Sequence, residues 1–345
     1  MNHSTVQPAF RVTTENQPAT ETSHPHDLVS SKIPERLTKQ ELQAFSRISP
    51  FQAAFGITVE WAGILTAILL AEWAATLWVT LPAIVWIGSR QHALLVIAHD
   101  AAHFRLLPNR TWNDWVGNVL LAWPMFISVQ GFRHFHGAHH KYLAAEGDGN
   151  RELWGTHDKT GNVTKEWLYP KSTGALVGKI LWRAAGFTGL FWMLRGIVGG
   201  FQFGMSPAAK AARLVWLGIA VWLFTITETW LGFVVYWAIP YCTWHIAVQY
   251  IRLICEHSNV PGRNEYSLTR TTQTTWFERL FFLPHHVGLH LEHHWYPSVP
   301  YYRLPQLHRH LMQRDSYAQN ASISPSLWTS LRDVTRGADM PRDPT

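Results

Sequence analysis

Three groups of histidines have the spacing that a metal site built from several helices requires. They are His99-Asp-Ala-Ala-His103, His136-Gly-Ala-His139-His140 and His290-Leu-Glu-His293-His294. Residues at i, i+3 and i+4 lie on one side of a helix, so each group presents two or three imidazoles in one direction. With 20 His among 345 residues, composition alone yields about 0.07 His-x-x-His-His matches per chain; two occur. At neutral pH an imidazole is mostly a neutral ligand rather than a charge.

The donor set narrows the metal. Eight clustered imidazoles exceed any four-coordinate zinc site, and Cys242 and Cys255 form no Cys-x-x-Cys pair. Carboxylates are too sparse for calcium or magnesium. Neutral nitrogen ligands in this number suit two iron ions with open positions for dioxygen. Asp100 and Glu292, inside the clusters, are candidate acceptors that orient ligand imidazoles, or else plain acids on a helix surface.

The elements that must carry these clusters are apolar helices. Phe51–Ile87 and Leu214–Ile251 are long apolar stretches, each too long for one membrane crossing and each suited to a helical hairpin. The first is expected to turn near Glu72 and the second near Thr227–Glu228–Thr229. No Lys or Arg lies between Arg47 and Arg90 or between Arg213 and Arg252. Clearing cations from two such windows serves no purpose in water, so the hairpins are read as four membrane crossings. The positive-inside rule then puts both termini, the middle loop and the histidine clusters in the cytoplasm, with a bacterial inner membrane expected. Trp115–Val129 is short and contains Pro124. A crossing there would separate the first two clusters, so it is expected not to span, and 178–204 looks similarly interfacial.

The composition agrees with this reading. Charged residues are 15% of the chain, hydrophobic residues 47%, and Trp numbers 19, against about 25% charged in a typical soluble domain. The formal charge of +6 does not imply nucleic acid, because no basic stripe interleaves with aromatics and no Gly-rich phosphate loop is present. Residues 1–35 read as a disordered polar tail without the apolar core of a cleaved signal peptide. The membrane domain with its cap is expected over 36–312, and a C-terminal tail over 313–345. The fold class expected is all-α, an integral membrane protein of four transmembrane helices in two hairpins plus a cytoplasmic histidine-rich helical cap.

In order and spacing, the clusters resemble those of the membrane fatty acid desaturase and hydroxylase family, over about residues 50 to 310. Arg252-Leu-Ile-Cys-Glu256-His257, His290-Leu-Glu-His293-His294-Trp-Tyr-Pro297-Ser-Val-Pro300 and Leu304-Pro305-Gln-Leu-His308 look like the acyl-lipid desaturase branch. The resemblance implies a diiron centre held by His99, His103, His136, His139, His140, His290, His293 and His294, with His257 as a ninth ligand. It implies O2-dependent oxidation of unactivated C–H bonds in a fatty acyl lipid or acyl-carrier substrate. Related chains often carry an Asn four residues before the third cluster and an aromatic residue just before it; here His286 and Leu289 stand there. His285 and His286 are therefore kept as open candidates outside the set of nine.

His134, two residues before His136 and on the opposite side of a helix, also stays outside it. His92 and His245 read as hydrogen-bonded structural residues or cavity lining, and Glu60 as either a functional acid or a partnered buried one. The chain shows no haem-binding segment and no flavin or nicotinamide fingerprint, so a separate ferredoxin-like or cytochrome donor is expected. Desaturation and hydroxylation or ketolation stay open at this point. A histidine-lined metal transporter is the less favoured alternative, because the clusters lie at or beyond the ends of the crossings.

Overall fold

Ser49 accepts the backbone N–H of Gln52 and Pro50 opens the first long helix, a start in which the capping oxygen and the fixed proline φ cooperate. The computed structural model describes residues 36–143, 147–150, 172–199, 201, 204–260 and 265–335; the expected 1–35 tail lies outside them. A short helix α1 (Lys39–Phe45) leads into α2 (Pro50–Ala74), which pairs with α3 (Leu77–Ala102). The turn between them is Ala75, in the left-handed region at φ 48°. That is three residues past Glu72, close to where the turn was expected.

The second hairpin pairs α8 (Pro207–Ile226) with α9 (Trp230–His257). It turns at Thr227–Thr229, where the sequence placed it, with Glu228 at φ 54°. These are four helices long and apolar enough to cross a membrane. Their burial differs: 67% of the apolar window of α3 is buried against only 6% of that of α8, so α3 is the central post and α8 faces lipid. Trp73, Trp78, Trp222 and Trp230 are exposed at the hairpin ends, as aromatic residues at a membrane interface are. The protein is thus an all-helical membrane protein; among the described residues the only sheet is a parallel pair, β1 (Thr271–Thr272) with β2 (Ile323–Ser324).

Residues 115–129 do not span. Helix α4 (Arg110–Gly117) runs into a π-helical turn, the chain reverses at Phe126 (φ 61°), and α5 (Val129–Lys141) begins behind the cap Ser128. Asn118 holds this reversal, its Oδ1 accepting the Val129 N–H at 2.9 Å. Helices α6 (Thr173–Ala184) and α7 (Phe187–Gly199) show exposed Leu181, Trp182, Phe187 and Phe191 on one side. On the other side α7 lies so close to α9 that a Cβ on Gly189 would stand 2.1 Å from the Cys242 carbonyl oxygen.

Past α9 the chain folds into a cap of short helices: α10 (Trp276–Phe281), α11 (His290–Trp295), α12 (Leu304–Leu311), α13 (Asp315–Asn320) and α14 (Leu327–Thr335). The last two fall within the segment expected as a tail from 313. They are packed: Tyr317, Leu327 and Val334 are buried in the cap cores.

Candidate metal centre

Local sequence places the imidazoles on four helices, and a few polar contacts bring those helices together. The first cluster occupies the C-terminal end of α3 and the second lies on α5. Arg133 joins the two: its Nε donates to the Ala102 carbonyl at 2.8 Å, one terminal nitrogen to that of Ala101 at 3.1 Å, and the same group pairs with Asp114 at 2.6 Å. It thereby satisfies carbonyls that a helix end leaves open. Arg270 does the same at the end of α9, donating to the Cys255 carbonyl at 2.6 Å beside His257. The third cluster is α11 itself. Its Glu292, buried at 0% exposure, accepts hydrogen bonds from Thr271 at 2.5 Å, Tyr317 at 2.7 Å and His308 Nδ1 at 2.5 Å.

The nine histidines converge in two groups. His99, His103, His136, His140 and His293 form one; His139, His257, His290 and His294 form the other, with the ligand atoms in each within 4.8 Å of one another. Adjacent residues on a helix point about 100° apart. That is why His139 and His140, and likewise His293 and His294, divide between the groups. The i, i+4 pairs stay together.

The arrangement is suited to cations. Nitrogens face nitrogens: His99 and His136 Nε2 are 2.7 Å apart, His136 and His140 2.9 Å, His140 and His293 3.0 Å, His257 and His290 3.0 Å, His290 and His294 3.1 Å. Two imidazole nitrogens about 2.1 Å from one ion and at right angles would stand about 3.0 Å apart. The Nε2 atoms of His103 and His139 are buried with no hydrogen-bond partner among the described residues. Burial holds His103 down to about 3, with Arg105 and Arg133 adding to the effect. Burial likewise lowers His136, His290, His293 and His294 well below the ordinary histidine range. These side chains are neutral, with lone pairs aimed at two common points.

Two carboxylates beside the groups carried no assigned role in the sequence reading. Asp148 Oδ1 accepts from His139 Nδ1 at 2.8 Å, both buried. The bond fixes the tautomer that leaves Nε2 free. Glu256, held by Arg252 at 2.6 Å, places Oε2 3.4 Å from His290 Nε2, beside the second group. Nothing in local spacing marks Asp148, which lies beyond the helix of its partner. Asp148→Ala is expected to weaken metal binding about 10- to 100-fold, read as metal per chain after dialysis against a graded chelator; unchanged retention would remove Asp148 from the site.

The two acids proposed to orient ligands do not do so. Asp100 Oδ2 accepts the Tyr301 N–H at 2.9 Å, and its other oxygen is 3.9 Å from His99 Nδ1, beyond hydrogen-bond reach. Glu292 bonds cap residues rather than cluster histidines. Glu60 is a partnered buried acid, paired with Arg90 at 3.0 Å and His285 at 2.9 Å. His134 is exposed and outside both groups, and His286 lines a groove on the cap. His92 and His245 are buried, with rings 6.1 Å apart.

A cavity of about 230 Å³ reaches the groups from the hairpin side. Its walls include Leu95, Phe126, Phe132 and Leu253, and it ends on His99, His136, His139 and His290. Gln249, Arg252 and Glu256 make one wall polar.

The chain is similar to several known enzymes. It is 27% identical over 303 residues to a dihydrorhizobitoxine desaturase of Bradyrhizobium elkanii, covering 79% of this chain and 82% of that one. It is 27% identical over 246 residues to an sn-1 oleoyl-lipid 12-desaturase of Arthrospira platensis, covering 66% and 67%. It is 25% identical over 256 residues to an sn-1 acyl-lipid omega-3 desaturase (ferredoxin) of Synechocystis sp., covering 64% of each. The family model for fatty acid desaturases matches residues 73–326, which hold all nine histidines, α3, the second hairpin and most of the cap. With that match extending over most of its length, the chain belongs to the fatty acid desaturase family.

Proposed function

We propose that the protein is an O2-dependent desaturase that introduces a double bond into a fatty acyl chain, using two iron ions held by the nine histidines. The observation that carries this is the apolar-walled cavity ending on both histidine groups. When bound, iron would supply, from dioxygen and two electrons, the power to remove hydrogen from an unactivated C–H bond. In overall balance, one O2, two electrons, two protons and the two hydrogens taken from adjacent carbons give an alkene and two waters. The residues here do the rest. Leu95, Phe126, Phe132 and Leu253 hold the chain and exclude water, while Asp148 keeps His139 in its ligating tautomer.

The cation-free windows between Arg47 and Arg90 and between Arg213 and Arg252, with the cationic cap, support a cytoplasmic cap in a bacterial inner membrane. A ferredoxin-like carrier is the donor class, as the name of the Synechocystis relative includes ferredoxin. A second reading, a substrate carrying polar groups along its chain, draws on Gln249, Arg252 and Glu256 in the cavity wall.

The test is expression of the chain beside its His293→Ala variant in a host with a ferredoxin system, with mass spectrometry of lipid and polar extracts. A species lighter by two hydrogens, absent with the variant, is the expected result, and the extract that contains it separates the two substrate readings. A species heavier by one oxygen atom would replace desaturation with hydroxylation.

A further inference from the structure

A second groove lies on the cap, away from the substrate cavity. It is about 230 Å³ in volume and is lined by Gln273, Arg279, His286, Leu289, His308 and Arg309 among others, with no Asp or Glu in its wall. Arg279 on α10 and Arg309 on α12 are exposed, and neither pairs with a carboxylate among the described residues. His286 between them is pushed down to about 4, by burial first and then by Arg279, His285 and Arg309. The permanent charges in the wall of the groove are the two guanidiniums.

The floor joins directly to the metal centre. Leu289 immediately precedes His290, and its N–H donates to the His286 carbonyl at 2.9 Å. His308, also in the wall, holds Glu292 at 2.5 Å, and Glu292 lies on α11 between His290 and His293. A body seated in the groove thus rests against the helix that supplies ligand candidates to both groups.

We propose that this groove is the docking site of an acidic iron–sulfur electron carrier, with Arg279 and Arg309 as its anchoring cations. The proposal rests on the desaturase reading, which requires two reduced carriers, each oxidised by one electron, for every O2 reduced. Anionic lipid headgroups would satisfy the same guanidiniums. The continuity of the floor with α11 favours the carrier, since electrons delivered there reach His290 through its covalently bonded neighbour Leu289. Paired charges at a rim set association and its salt dependence more than the fold.

The experiment uses the full chain in nanodiscs of neutral lipid, wild type against Arg279→Glu/Arg309→Glu, with Lys39→Glu/Arg332→Glu, both exposed and outside the groove, as a charge-matched control. The probe is a [2Fe–2S] ferredoxin. Calorimetry with the oxidised ferredoxin should show Kd weakened about tenfold or more in the double variant only, the difference shrinking as salt shortens the Debye length from about 10 Å to about 3 Å. Ferredoxin-driven turnover should show a raised KM for the carrier with kcat kept, and turnover driven by dithionite and methyl viologen should match wild type at equal metal content. Equal ferredoxin affinity in wild type and double variant would overturn the proposal. A parallel fall in dithionite-driven turnover, or a defect confined to discs of anionic lipid, would do so too. No product with either reductant removes the desaturase reading instead, and the calorimetry still decides whether the groove takes the carrier.

Discussion

His139→Ala should lower product formation about a thousandfold or more and reduce bound iron by about one ion per chain, a larger effect than the 10- to 100-fold typical of ligand-orienting neighbours. His139 belongs to the smaller group, of four histidines, and its Nε2 is one of three cluster nitrogens, with His103 Nε2 and His257 Nδ1, buried without a hydrogen-bond partner among the described residues. Removing it deprives one ion of a quarter of the imidazoles in its group and removes the 2.8 Å hydrogen bond to Asp148. His293→Ala, in the group of five, should likewise abolish turnover. Because each truncation removes a lone pair and no apolar contact of the spans, the detergent-solubilised variants should elute and resist protease as wild type does. Iron per chain by mass spectrometry, read beside product, is the check. Wild-type turnover from either variant would sink the ligand assignment.

Glu60→Ala should cost about 3–5 kcal/mol of stability, because it leaves a buried guanidinium without its counter-charge. The side chains of Arg90 and Glu60 are only 6% and 3% exposed and lie 3.0 Å apart. The same carboxylate holds His285 at 2.9 Å, and Arg90 also donates to the Leu280 carbonyl and lies over Trp86. One acid thus joins α2, α3 and the segment that precedes the third cluster. Thermal unfolding in detergent should show the loss. Glu60→Leu combined with Arg90→Met should recover most of it, since a buried ion pair replaced by apolar groups of similar volume is often neutral or better. If Glu60→Ala keeps wild-type stability but loses turnover, the acid is functional rather than structural.

The sequence by itself determined the parts governed by local periodicity and hydropathy. The cation-free windows marked two hairpins because charge in a bilayer core is costly. The i, i+4 histidines marked ligand pairs because a helix brings such residues together. The short Trp115–Val129 segment was legible as non-spanning because all three clusters had to meet on one side.

The helix step separates His139 from His140 and His293 from His294, but tertiary structure alone decided which histidines of different helices join into five and four. That division depends on how α3, α5, α9 and α11 are rotated against one another, which Arg133, Arg270 and Glu292 set through contacts across 15 to 32 residues of sequence. It also decided the roles of the acids. Asp100 and Glu292 sit inside the clusters yet bond elsewhere, whereas Asp148, outside every cluster, takes His139. Which partner a buried carboxylate meets is fixed by where the chain returns, and spacing along one helix carries no information about that.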